Sequence, residues 1–248
     1  MAIPRHLLME TLRRALARCE QRTAPAEGEL ISTGVEGLDR CLPWGGLRAG
    51  SLVEYLAGNE ASGAGSLALL AGSAACREGR ACVVFDRQRQ FYPAAAAALG
   101  IELARMIVVR SAEEDEERWA VDQALRCPGV GAVWLRWGRL DARDFRRFQL
   151  AAECGGTLGV FVRPAKFRLQ PSWSDVQWLV RPAPAPAPQG RRLWVELVRC
   201  RGAAPGKRVL LELDEQTSEW REPDHATHSL PVPAQLAHSA SRRRQTGA

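Results

Sequence analysis

The chain has 248 residues and a mass of 27.2 kDa, enough for one full α/β domain with residues to spare at both ends. Hydrophobic content of 46% and charged content of 25% exclude a wholly disordered chain, and no run approaches the about 18 unbroken apolar residues of a transmembrane helix. The net charge of +6 is arginine charge, since Lys166 and Lys207 are the only lysines among 34 basic side chains; it permits an anionic partner without demonstrating one. The first twenty residues are punctuated by Arg and Glu, so no secretory leader is read, no membrane contact is implied, and a cytoplasmic protein is expected. Seven scattered cysteines without a C-x-x-C pair, and four histidines of which three lie beyond residue 224, argue against a disulfide framework and a metal site.

Residues 5–22 predict a short amphipathic helix. Leu8, Leu12, Ala15 and Cys19 recur at helical spacing, and Leu7 and Leu16 widen the stripe. Such a helix either docks on a partner or folds back onto its own core; the pattern serves both. Residues 23–29 read as a linker. From residue 30 the chain alternates strands and helices: strands at 51–57, 81–86, 106–110, 130–137 and 157–164, with helices from about 66, at 92–100, at 113–126 and at 141–156. The acidic first turn of the third of these helices suits the macrodipole. Alternation at these lengths implies a doubly wound, mostly parallel sheet with flanking helices. The run PAPAPAPQG (182–190) should be extended, and 192–200 with 207–213 should form a C-terminal hairpin on the sheet edge. The organisation expected is an N-terminal helix and linker at 1–29, a core at 30–213, and a disordered, Pro-rich tail at 214–248.

The most informative stretch is GNEASGAGS, residues 58–66, which follows a buried strand and opens a helix. That is the setting of a P-loop, in which backbone N–H groups cradle phosphate, a lysine reaches the β/γ-phosphates and a hydroxyl holds Mg²⁺. Against G-x-x-x-x-G-K-[ST], Gly58 and Gly63 fit, with Ser62 between them. Ala64 stands at the lysine position and Gly65 at the hydroxyl position; Ser66 comes one place late.

The segment ISTGVEGLDRCLPWGGLRAGSLVEYLAG (31–58) resembles the entry to the RecA recombinase core, and the likeness runs on through CVVFDRQRQFYPAAAAALGIELARMIVV (82–109). The resemblance implies a RecA-like fold. It also implies where catalytic groups should stand, and the chain departs at each. The glutamate that activates water is Gln88, which orients a water but accepts no proton. The aspartate ending the Walker B strand is Arg136. With Ala64, that makes three replaced positions, and a pseudo-ATPase is expected. No cofactor is expected, although the remaining nest and helix start leave ATP binding without hydrolysis open.

The wider pattern, over about residues 5–213, is similar to the ImuA family of RecA-like factors in SOS-induced translesion synthesis. That resemblance implies an accessory role with three partners: an ImuB-type inactive Y-family polymerase relative, an error-prone replicative-type polymerase, and RecA itself. DNA would be met directly or through those partners. Two other readings stand beside it: a nucleotide-dependent RecA-type ATPase with an unusual P-loop, for which Lys166 and Lys207 are the only lysines available, and a SulA-like division inhibitor.

Two surfaces invite attention. Arg143, Arg146 and Arg147 share one helix face, with Arg136 and Arg139 just before it. This is an anionic docking surface or a solvated arginine-rich face, the commoner meaning of such a pattern. Arg136 is also placed to fill the empty phosphate pocket with its own cation. Of the eight tryptophans, Trp134 and Trp194 read as strand core, whereas Trp44 and Trp220 are less easily buried.

Overall fold

The computed structural model describes residues 5–19, 28–59, 61–185, 190–214 and 216–223. In chain order these form α1 (Arg5–Cys19), β1 (Leu30–Ile31), α2 (Glu36–Asp39), β2 (Leu47–Arg48), β3 (Leu52–Ala57) and α3 (Ala64–Ala74). There follow β4 (Ala81–Phe85), α4 (Pro93–Ala98), β5 (Met106–Val109), α5 (Glu114–Arg126), β6 (Val130–Arg136), α6 (Ala142–Gly155) and β7 (Leu158–Pro164). Four strands close the chain: β8 (Val176–Ala183), β9 (Arg192–Cys200), β10 (Arg208–Leu213) and β11 (Trp220–Arg221).

Nine strands make one sheet in the order β11-β10-β9-β8-β3-β7-β6-β4-β5, and β1 pairs with β2 in a small antiparallel ribbon. The six strands from β8 to β5 run parallel; β9, β10 and β11 continue the sheet antiparallel. The fold is RecA-like α/β, with flanking helices and a C-terminal antiparallel hairpin. The parallel strands read as continuous apolar runs because both faces are covered. Side-chain alternation divides them: Val53, Tyr55, Val84, Trp134 and Val160 pack on the α3 side, and Leu52, Phe85, Leu135 and Phe161 pack under α5 and α6. Helix α6 starts on Asp141, whose side chain accepts from Asp144 N, and stops at Gly156, which has positive φ.

The structure departs from the sequence-based expectations in four places. Strand β8 is a sixth parallel strand, beside β3. It escapes the pattern because only a short helical turn at 165–167 precedes it, so no crossover helix announces it. The sheet also runs past Leu213, where the disordered tail was expected to begin. Trp220 of β11 is 8% exposed and packs into the core, with Arg221 on Asp214 and Glu222 on Arg40. Residues 224–248, including the arginines at 242–244, lie outside the described residues. Trp194, expected in the core, is 39% exposed because it points away from the packed face of β9.

The fourth departure concerns α1 as a partner-docking helix. Leu12 and Leu16 are buried in the chain's own core beside α5, with Leu8 packed against the same cluster. Arg13 lies over the Trp119 ring at 5.7 Å, and the Leu16 carbonyl accepts from the Cys127 thiol. Ala15 is half-buried; the Cys19 side chain lies outside the described residues. The stripe meets the exposed flank of α5, where burying two leucines outweighs leaving them in water. Among the described residues no helix is long and apolar enough to cross a membrane.

Candidate functional site

In an open α/β sheet the crevice for ligands lies beyond the carboxyl ends of the strands, where connections part to either side. Here the chain leaves β3 at Gly58 and, after α3, returns in β4, with β7 and β6 lying between the two strands. Gly58 N donates to Val180 O, pinning the loop entry to β8. A Cβ on Gly58 would lie 3.0 Å from that same carbonyl, so the close approach favours glycine. Gly63 caps α3 with φ +76, and the buried Ser62 hydroxyl accepts from Ala64 N at 3.4 Å. Ala64, Gly65 and Ser66, the first residues of α3, therefore line the crevice. Ala64, where the lysine would be, is buried and small. Ser66 N bonds back to Gly63 O as the helix begins, and the Ser66 residue lines the crevice on the Tyr92 side.

Arg136 crosses this loop. It ends β6, and a Cβ on Gly65 would sit 3.0 Å from Arg136 Nη2. Its guanidinium lies 5.9 Å from the Trp134 ring and, among the described residues, has no ion-pair or hydrogen-bond partner. Gly65 leaves the room this side chain occupies. Gln88 stands on the same crevice, in a turn held by buried Asp86, whose Oδ1 accepts from Gln90 N (2.7 Å) and Phe91 N (3.0 Å). Asp86 Oδ2 pairs with Arg110, so the strand-ending carboxylate is spent on shaping the turn.

Two cavities of about 600 Å³ each meet at Gly65, Gln90 and Arg136. One is lined by the loop from Gly58 to Gly65 and, opposite, by Pro164, Ala165 and Lys166. The other is aromatic, with Phe91, Tyr92, Trp134 and Trp220, and is closed by Arg191 and Leu193. The described lining of both includes no Asp or Glu. Lys166 thus comes to the loop from another strand end, whereas Lys207 is far from it in role, donating to Cys41 O. A magnesium nucleoside triphosphate, the group a RecA-like loop implies, does not fit these residues: no carboxylate supports the metal, and a guanidinium stands at the end of β6 in its place. Among the described residues no group of three or more His, Cys, Asp or Glu gathers as a metal site.

The arginines of α6 divide. Arg147 is tied to α5, through Asp122 at 3.3 Å and the Arg118 carbonyl at 2.9 Å. Arg146 bonds Gln149 and lies over the Trp173 ring at 4.8 Å. Arg139 and Arg143 are exposed and have no ion-pair partner among the described residues. The expected surface is therefore narrower than the five arginines of the sequence, because α5 presents the acids that take Arg147. Two residues escaped the sequence reading: Trp173, 40% exposed beside Arg146, and Arg163. Arg163 is fully buried against Glu54 at 2.9 Å, bonds Gln170, and so fixes the 165–174 turn that carries Lys166. A charged residue inside the apolar run of β7 was the available signal for it.

Comparison with known proteins agrees with the architecture. A family model described as the RecA N-terminal domain matches residues 13–133. Protein ImuA of Caulobacter vibrioides (strain NA1000 / CB15N) is 33% identical over 228 residues, covering 84% of this chain and 90% of its own. Protein RecA of Rhodospirillum centenum is 41% identical over 112 residues, 45% of this chain and 31% of that protein. The crystal structure of the RadB recombinase superposes with a TM-score of 0.62 at 17% identity, over 79% of this chain and all of that one, which is a likeness of fold.

Proposed function

The chain belongs to the ImuA family, and from that premise we propose that it is a non-catalytic, RecA-like accessory factor of SOS-induced translesion synthesis. In this reading it works in the cytoplasm with an ImuB-type inactive Y-family polymerase relative, an error-prone replicative-type polymerase and RecA. The observation that carries the non-catalytic half is the company kept by Arg136. Ala64, Gln88 and Arg136 line one crevice whose described lining has no carboxylate, and the two acids of the adjoining pocket, Asp86 and Glu117, are paired with Arg110 and Arg87.

Partner contact is assigned to the unpaired arginines Arg139 and Arg143, with Arg146 and Trp173 beside them. Exposed Trp and Arg together are the composition of interface hot spots. The reading as a working ATPase is weaker, because Lys166 supplies a cation to the crevice but no group replaces the base. Nothing in the fold favours the division-inhibitor reading.

The test has two arms. Purified protein with Mg-ATP, with and without single-stranded DNA, is expected to release no phosphate above a protein-free blank; turnover dependent on this protein overturns the non-catalytic reading. Co-expressed with the ImuB-type partner, the chain is expected to co-purify with it. An Arg139→Glu, Arg143→Glu double variant is expected to lose that complex while keeping its circular dichroism spectrum. Unchanged co-purification overturns the assigned surface.

A further inference from the structure

At the end of the sheet opposite the crevice, where β3 and β8 begin, the chain holds a large aromatic side chain in solvent. Trp44 is 42% exposed, yet its ring is held from two directions. The Arg48 guanidinium stacks on it, with Cζ 3.8 Å from the ring centroid. A Cβ on Gly202, in the turn between β9 and β10, would meet Trp44 Cη2 at 3.0 Å, and Gly202 has φ +87, a conformation that favours glycine. A Cβ on Gly46 would lie 2.9 Å from Ile31 O, so the turn after Trp44 packs directly on β1. The indole is therefore preorganised, which lowers the cost of binding through it. Trp44, Arg48, Asp175 and Arg201 line one hollow, together with Leu47 and Val176. Its volume of about 10 Å³ admits no more than a water, so a partner cannot insert a side chain there and must lie across the ring.

The charges around the hollow are unevenly matched. Asp175 pairs with Arg201 at 2.9 Å, and burial pushes its carboxyl up against the pull of Arg201, Arg48 and Arg199. Glu153, the further acid acting on it, accepts from Gln149. Arg199 is exposed and donates to Ser172 O at 2.7 Å. Among the described residues the Arg48 guanidinium has neither an ion pair nor a hydrogen-bond acceptor, and Arg199 has no ion pair. Two cations thus stand without acids of their own, beside a fixed aromatic ring. A stacked guanidinium keeps its N–H edge free, and that edge suits a carboxylate or a phosphate. The count decides between them. Nucleic acid is held by a run of cations along a groove, whereas two unpaired guanidinium groups near a resident carboxylate match a pair of acidic side chains. Trp with Arg is also the composition of protein hot spots. We propose that this patch docks an acidic segment of a partner protein, with carboxylates on Arg48 and Arg199 and an apolar side chain flat on the Trp44 ring. Arg139 and Arg143 follow the carboxyl end of β6, so the two surfaces are separate. The inference goes beyond the accessory reading and does not depend on it; it gives the chain room for two protein partners at once.

Panning a phage-displayed library of random short peptides on the immobilised full chain reads the chemistry of the segment directly. Enriched peptides are expected to join Asp or Glu to Leu, Phe or Trp, and to bind less tightly as salt rises. The Arg48 guanidinium makes no ion pair or hydrogen bond among the described residues, so Arg48→Glu should fold. By fluorescence anisotropy it should weaken the enriched peptides about tenfold or more, the loss of a hot-spot contact. Trp44→Ser and Arg199→Glu should each weaken them too, with an unchanged circular dichroism spectrum. Changing the acidic residue of an enriched peptide to Lys should restore binding to Arg48→Glu, which a merely structural role for Arg48 would not allow. Enrichment without acidic residues, or peptides that bind Arg48→Glu as tightly as the native chain, would overturn the proposal. So would a labelled oligothymidylate that binds the native chain more tightly than the peptides and is lost in Arg48→Glu, since the patch would then belong to nucleic acid.

Discussion

Arg163 and Glu54 are both wholly buried, and each is tolerable only because of the other. Arg163 Nη1 meets Glu54 at 2.9 Å, Nε donates to Gly138 O, and the carboxylate also accepts from Ser172 and Gln177. Removing one partner leaves an uncompensated buried charge, which costs about 3–5 kcal/mol, whereas replacing both with apolar groups is often neutral. Arg163→Met is therefore expected to lose about that much stability in urea unfolding, and Arg163→Met with Glu54→Leu to recover most of it. If the single variant loses under 1 kcal/mol, this network does not hold the Lys166 turn.

Glu117, at the start of α5, gives a pH signature. Burial pushes its carboxyl above the ordinary carboxylate range, against the pull of Arg87 at 2.8 Å. The native state thus holds this proton more tightly than the unfolded chain does. The stability it adds is fully present below the unfolded value and is lost as pH rises through the folded one. Glu117→Gln resembles the protonated side chain at every pH. Its stability relative to the native sequence should rise as pH climbs from the ordinary carboxylate range upward; a difference that is flat or falls with pH would mean that Arg87 outweighs burial.

At the scale of elements, α1 decides between docking inward and docking outward. Leu12 and Leu16 cover the flank of α5, so Leu12→Ala should cost about 2–5 kcal/mol, the range for a buried leucine. A helix waiting for a partner would lose almost nothing on that change, and chemical denaturation separates the two. The same helix marks a limit of the sequence. Its stripe was legible at Leu8, Leu12 and Leu16, but what it covers was not, because periodicity gives a face and never a neighbour. The parallel strands from β3 to β7 were legible since each adjoins a helix with its own period, β7 by following α6. Strand β8 was not, because its apolar start at Val176–Val180 follows only a short helical turn and runs into the proline–alanine segment. In the crevice, Ala64 could be placed by the spacing of the loop motif, and Gln88 and Arg136 by the resemblance to the RecA core. Lys166 and Trp220 could not, since they reach it from strand ends distant in sequence.

The whole molecule extends further along the chain than composition suggests, and that boundary can be tested. The antiparallel extension of the sheet is finished by β11, whose Trp220 packs with Val209 and Leu211 of β10 in the α3-side core. Two ion pairs bolt it down, Arg221 to Asp214 at 3.0 Å and Glu222 to Arg40 of the turn after α2 at 3.0 Å. Both are largely exposed and contribute little; the indole is what matters. Truncation after Asp214 strips a buried tryptophan from the core and bares the edge of β10. The loss should be about 3–5 kcal/mol, as for Trp→Ala in a core. For a domain of this size that is a fall in Tm of roughly 6–20 °C. Truncation after Pro223 keeps every one of these contacts and should leave Tm within a degree or two. Calorimetry on the two shortened chains reads the difference directly. If both melt alike, the Trp220 indole adds nothing to the core.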